Sequence, residues 1–255
     1  MNWETPKIDW DPSNPEGVGG GDFNRIEGNI VFLGEGSPIQ DIQGNRYRTC
    51  NINGQQWTVD NWRATKYNDG TDIPLVADQS EWNALTTPGY CKYDGYVTRF
   101  GLLYNFHAGS IDNALDIAPD GWRVPTAIDF NNLFNYLSDN GYYRDYINIV
   151  TSSHLAKSLA SIQGWASHNT GGAGDITPGV RPSFNNGSGL GITPSGIRDS
   201  TFNNISTRGG IWSSSPNVAG TSGNSISIFH SESTAYGDLE LNNNIGLSLK
   251  MVRDI

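Results

Sequence analysis

Apolar and polar residues along this chain alternate with periods that change from segment to segment. Residues 1–20 are rich in Pro and Gly and carry no period, which predicts an extended arm. Phe23, Ile26, Ile30 and Leu33 then recur at helical spacing behind Asp22, a good N-cap, and predict a short helix of about three turns. A stripe that narrow needs a partner, either the main domain or a second copy of itself. Gly34 to Pro38 punctuates, so the expected division is an arm over 1–38 and a globular domain over 39–255. Arg46–Ile52 and Gln55–Val59 flank Asn53-Gly54, the strongest short hairpin signal. Pro125-Thr126 opens the best helix: Thr126 and Asp129 approximate a capping box, Ile128, Leu133, Phe134 and Leu137 supply the apolar face, and Gly141 stops it. Leu155, Leu159 and Ile162 predict a second helix over 153–162. Beyond Gly164 the pattern predicts turns and short strands.

The last fifth differs from the rest. Residues 200–236 hold 14 Ser/Thr and four Asn but only two charges, Arg208 and Glu232. Hydrophobic anchors frame the stretch: Gly209-Gly210-Ile211-Trp212 on one side and Ile245–Val252 on the other. Disordered tails carry more charge and lack such anchors. Small hydrogen-bonding side chains between fixed strands suit a recognition surface over about 200–245. The partial alternation of residues 224–231 leaves open which of Phe229 and His230 points outward.

Composition narrows the choice of partner. The net charge is −10, with no basic run, which argues against nucleic acid and anionic membranes. Eight Trp and 31 Gly suggest a loop-rich domain in which aromatics provide much of the burial. No apolar stretch reaches membrane-spanning length, and the N-terminus lacks the basic and apolar regions of a signal peptide, so folding in the cytoplasm is the expectation. Cys50 and Cys91 allow at most one disulfide, and a reduced pair is the simpler reading.

Catalytic chemistry finds little support. His107, His154, His168 and His230 show no metal-ligand spacing, and no Gly-x-Ser-x-Gly elbow occurs. Gly187-Ser188-Gly189-Leu190-Gly191 lacks the strand–helix context of a phosphate loop and reads as a turn. Asn68–Asp72 with Asp112, Asp116 and Asp120 offers the oxygens that Ca²⁺ uses, but turn formation accounts for each. Trp57, Trp62, Trp122 and Trp212 are expected in the core. Trp165 is either core or a stacking platform, with core favoured. No cofactor is expected, a structural Ca²⁺ being the one candidate.

Several segments in order carry a resemblance. They include Asp41–Tyr47, Gln56–Arg63, Tyr67–Thr71, Trp82–Cys91, Phe100–Asn105, Ala118–Thr126, Trp212–Ser215 and Val252–Asp254. Together these resemble the Fibrobacter succinogenes major paralogous domain over about residues 40–255. The resemblance implies an α+β, C-type lectin-like fold of the formylglycine-generating-enzyme type, with two helices around a small antiparallel sheet and long loops. It also implies kinship with variable proteins of diversity-generating retroelements, including phage receptor-binding tips, whose varied residues lie near the C-terminus. Met251 stands where many members have Cys, so a pairing with Cys91 is lost, and the secretion signal of many members is missing. The leader Trp3–Trp10, followed by Asp22–Ile30, is similar to the opening of tail-associated phage proteins.

The expectation is therefore a non-enzymatic host-recognition protein on a virion tail. Its partners would be a host cell-surface protein or glycan, and other tail proteins reached through the arm, with a homo-oligomer such as a trimer. Arg208, Ile211, Ser213, Asn217, Asn224, Ser225, Ser227, His230, Glu232, Tyr236 and Asp238 form the expected display face. Asn at 203, 204, 217, 224 and 242–244 suits adenine-directed diversification, which acts on Asn codons. The alternative is an adhesion or carbohydrate-binding module at a bacterial surface.

Overall fold

Asn53 and Gly54 both adopt positive φ, 50° and 73°, the geometry of a two-residue hairpin turn. They join β2 (Arg46–Ile52) to β3 (Gln55–Thr58), as expected. A computed structural model describes residues 35–142, 155–168, 172–173 and 185–255; the arm and the helix expected over 22–33 lie outside the described residues. β1 (Glu35–Gln40) pairs with β2, so the sheet reaches back before the boundary expected at 38. Asp41 locks the β1–β2 turn. Its carboxylate accepts from the backbone N–H groups of Gln43 and Asn45, from the Asn45 amide and, at 2.6 Å, from the Tyr47 hydroxyl. β11 (Val252–Asp254) completes the order β1-β2-β3-β11, bringing the end of the chain against the first hairpin.

The second large sheet has the order β10-β9-β8, from β8 (Arg208–Pro216), β9 (Ser222–Phe229) and β10 (Ala235–Asn242). Two small pairs, β4 (Tyr90–Cys91) with β5 (Leu103–Tyr104) and β6 (Ser195–Arg198) with β7 (Phe202–Ile205), complete the strands. Helices are short: α1 (Gln79–Asn83), α2 (Val97–Phe100), α3 (Phe106–Gly109), α4 (Ala127–Asp139) and α5 (Ala156–Leu159).

This corrects the expected α+β, C-type lectin-like architecture. The described residues are mainly β, with eleven strands in four sheets, and α4 alone among the helices exceeds five residues. Two local causes stand out. The Ser/Ile alternation of Ser225–Ile228 lies in the middle strand of a sheet of eight- and nine-residue strands, β8–β10, where turns and short strands were expected. The helix expected over 153–162 stops after one turn, because Ser161 N–H and Ile192 N–H exchange bonds with Ile192 and Leu159 carbonyls and draw the chain into an extended bridge at Ala160.

α4 forms as its sequence predicts. Thr126 Oγ1 accepts from Asp129 N–H, and Asp129 Oδ2 accepts from Thr126 N–H at 2.7 Å, a reciprocal capping box. Its buried face is Phe130, Leu133 and Leu137 with half-buried Phe134, whereas Ile128 is 70% exposed, contrary to expectation. The face packs on Ile211, Ile226, Ile228 and Ala235 of the β8–β10 sheet. A second cluster gathers Tyr47, Trp62, Tyr104, Phe106, Trp122, Trp212, Leu247, Leu249 and Met251. Trp57, Trp62, Trp122 and Trp212 are all buried, as expected, and half-buried Trp165 packs at the edge of the α4 cluster. The segment 246–252 threads these parts together through bridges to Tyr104, Arg123, Arg198 and Ile211.

Candidate binding surface

Side chains alternate between the faces of a strand, so register decides which residues of the C-terminal sheet are displayed. Gly210, Ser227 and Tyr236 lie abreast on one face, and Ile211 and Ile226 face the other way beneath α4. The expected display face is corrected here. Arg208 is only 8% exposed, and Ile211, Ser213, Ser225 and Ser227 are 0% exposed, because both faces of the sheet's middle are covered. Gly223 shows how close that cover is: a Cβ there would sit 2.0 Å from the Phe106 ring.

The remaining positions separate into two patches, on opposite faces at opposite ends of the sheet. Asn224 and Phe229 are five residues apart on β9, about 17 Å at the antiparallel rise. A bulge between Tyr236 and Leu239, where Asp238 is exposed, contributes to the change of face.

The first patch surrounds the turn after β8. Asn217 Oδ1 accepts from Thr221 N–H and Ser222 N–H, its amide donates to Glu240 at 3.1 Å, and Ser222 donates to the same oxygen. Asn217 thus shapes its own turn. Asn224, half-buried, pairs across the ladder with Glu240, and Asn242 with Ser222. Fully exposed Val218 tips the turn; sequence reasoning missed it because nothing in a Ser/Asn-rich stretch distinguishes one apolar residue at a tip from one at a core position.

The second patch is aromatic. Phe229 and Tyr236 meet edge to face at 5.9 Å, and the Arg208 guanidinium lies over the Phe229 ring at 5.3 Å. Arg208 donates to Ser227 Oγ at 2.9 Å, but its buried Nε–H has no partner and no carboxylate reaches ion-pair distance among the described residues. Burial lowers its pKa from the usual arginine value. Tyr236 donates to Glu232 at 2.7 Å, and that hydrogen bond, with the carboxylate's charge, raises the phenol's pKa. His230 extends the patch towards Ala166 O, with the His168 ring edge-on at 5.0 Å. Phe229 therefore belongs to this face, and His230 lies just beyond the strand.

Other candidate chemistry resolves into structure. Cys50 and Cys91 are free thiols, each pushed up to about 12 by burial. Asp69 accepts from Thr71 twice, Lys66 pairs with Asp72, and Asn68 donates to Asp120, so the oxygen-rich segment builds its own turn. Among the described residues no three of His, Cys, Asp or Glu form a metal-binding group. Ser188 bonds the Ser158 carbonyl through N–H and hydroxyl, so the Gly187–Gly191 turn packs on α5. Half-buried His107 has its pKa lowered by burial. No described helix is long and apolar enough to cross a membrane.

A mainly β scaffold of this kind, tied together by its C-terminal segment, carries the motifs of one family. The chain belongs to the Fibrobacter succinogenes major domain family, whose model matches residues 50–253. No curated protein and no solved structure matches it.

Proposed function

We propose that this protein is a non-enzymatic recognition module, the host-binding protein of a phage tail, and that it binds through the Phe229–Tyr236 patch, which Arg208 backs from beneath. One observation carries the reading: a half-exposed aromatic pair backed by a buried arginine that has no carboxylate partner among the described residues. Tyr and Arg are the residues that most often anchor interfaces, because they combine apolar area with directional hydrogen bonds. The network at the 217–222 turn satisfies its own polar groups and serves mainly as scaffold. The potential nucleophiles support a non-enzymatic role: both thiols are held protonated, and Lys250 is wholly buried. The ligand is a host surface protein or glycan, held weakly by each copy and strongly by several on one particle. Retroelement-driven variation would be tolerated at exposed Tyr236 and Asp238 and at half-buried Asn224, His230 and Glu232, and not at Ile211, Ser213, Ser225 or Ser227, which pack inside.

The test is binding of the fluorescently labelled intact chain to whole cells of the host bacterium. Tyr236→Ala with Glu232→Ala should abolish binding, and Glu240→Ala with Asn242→Ala should leave it intact. Equal binding by all three proteins, or no binding by the wild type, sinks the proposal.

A further inference from the structure

A cleft of about 170 Å³ opens on a different part of the molecule, where residues 48–63, 98–101, 161–162 and 186–193 converge. Its walls include Arg48, Asp60, Asn61, Arg63, Arg99 and Asn186. Three arginines stand against one aspartate there, in a chain of net charge −10. Arg48 is paired with Asp60 at 2.6 Å. Arg63 and Arg99 have no carboxylate partner among the described residues. Arg63 is steadied by the Tyr47 ring at 4.7 Å and by the Arg46 carbonyl, and Arg99 by the Phe100 ring at 5.0 Å.

The wall beside the arginines is tightly built. Asn61 is only 6% exposed, and its amide N–H groups are used on Phe100 O, Thr193 Oγ1 and Ser248 Oγ. Its Oδ1 is buried with no donor, and so is Oδ1 of Asn186. Both oxygens are closed to solvent, so they belong to the packing of the wall and do not face a ligand. The geometry is built in: Gly101, at φ 75°, approaches so closely that a Cβ would lie 2.8 Å from Asn61 Cβ and Trp62 O.

Unpaired guanidinium groups seek an anion, preferably a planar carboxylate. The Asp60 carboxylate, 27% exposed in the same wall, accepts from hydroxyl donors. We propose that this cleft binds a small polyhydroxylated carboxylate of the hexuronate class, with its carboxylate on Arg63 and Arg99 and its hydroxyls donating to the Asp60 carboxylate. Size agrees: at about 30 Å³ per water the cleft holds the equivalent of about six waters, the scale of one sugar ring and below that of a drug-sized ligand. Sulfate and phosphate lack enough donors, and neutral hexoses lack the anion.

Calorimetry or saturation-transfer NMR on the intact chain tests this with D-galacturonate, D-glucuronate, D-galactose and sulfate. One hexuronate should bind with a Kd of about 1 mM or tighter, as expected for so few atoms. Galactose and sulfate should bind at least about tenfold more weakly, and added salt should weaken the acid. Arg99→Met, at an exposed position, should cost about tenfold with unchanged melting, and Arg63→Met should do likewise. No hexuronate binding at about 10 mM, equal binding of galactose or sulfate, or indifference to both substitutions overturns the proposal. The readout is small-molecule binding and not cell attachment, so this site and the aromatic patch can fail independently.

Discussion

Lys250 is 0% exposed, and among the described residues its ammonium donates to the Thr58 and Val59 carbonyls. Burial pushes its pKa down from 10.5 to about 8, against the opposing pull of Asp60 and Cys50. The folded protein therefore releases this proton near pH 8, while the unfolded chain keeps it to about 10.5. Between those values the unfolded state binds more protons, so this group makes stability rise with pH. From pH 7 to 9 its contribution grows by about 1 kcal/mol. The cysteines act in the opposite sense. Their folded pKa values are raised from 9 to about 12, so the stability they contribute is lost as pH rises through that range. Urea melts of wild type and Lys250→Met at pH 7, 8 and 9, followed by Trp fluorescence, separate the two effects. The difference between the proteins should move in favour of the wild type by about 1 kcal/mol across that range. Parallel stability curves would refute a buried, depressed lysine.

Other outcomes follow from the same structure. Asp129 would have its pKa raised by burial, but bonds from Arg123, Thr126 and Gln55 outweigh that and lower it. Asp129→Asn should thus cost about 1–2 kcal/mol at pH 7, allowing for the partly exposed arginine, and the loss should fade as pH drops below the usual carboxylate range, read by melts from pH 7 to 3. Gly223→Ala drives a Cβ into the Phe106 ring and should destabilise by about 1–3 kcal/mol in chemical denaturation. Thr126→Ala removes the α4 cap and should cost about 0.5–2 kcal/mol in the same assay. Ser225→Asn or Ser227→Asn should lower the melting temperature, since both hydroxyls are enclosed, while Asn242→Lys should leave it unchanged.

Local rules read well where one short segment carries all the information. Asn53-Gly54 demands positive φ at two residues, and Thr126 with Asp129 needs only its own helix turn, so both were legible in sequence. The Trp anchors were legible because Trp57, Trp62, Trp122 and Trp212 sit in the family's motif segments, where so large an aromatic group supplies burial. The display face was not, because its register passes through bulges between Trp212 and Pro216 and between Tyr236 and Leu239. Each bulge can change the face that subsequent residues present, and a Ser/Asn-rich strand carries too weak an alternation to reveal it. Ser225 and Ser227 look like surface residues until Leu239 and Tyr236 are placed abreast of them. Ile128 fits a helical stripe, yet the helix is rotated to bury Phe130. The arginine cleft draws on four segments separated by up to about 140 residues, a convergence that no local pattern encodes.

The central claim is that binding resides in the aromatic patch and stability in the enclosed serines and anchors beneath it. The most direct measurement compares wild type with a Tyr236→Ala, Glu232→Ala, His230→Ala triple variant, recording both host-cell binding by flow cytometry and the melting temperature. The account predicts that melting is retained and binding is lost. Retained binding by the folded triple variant would contradict it.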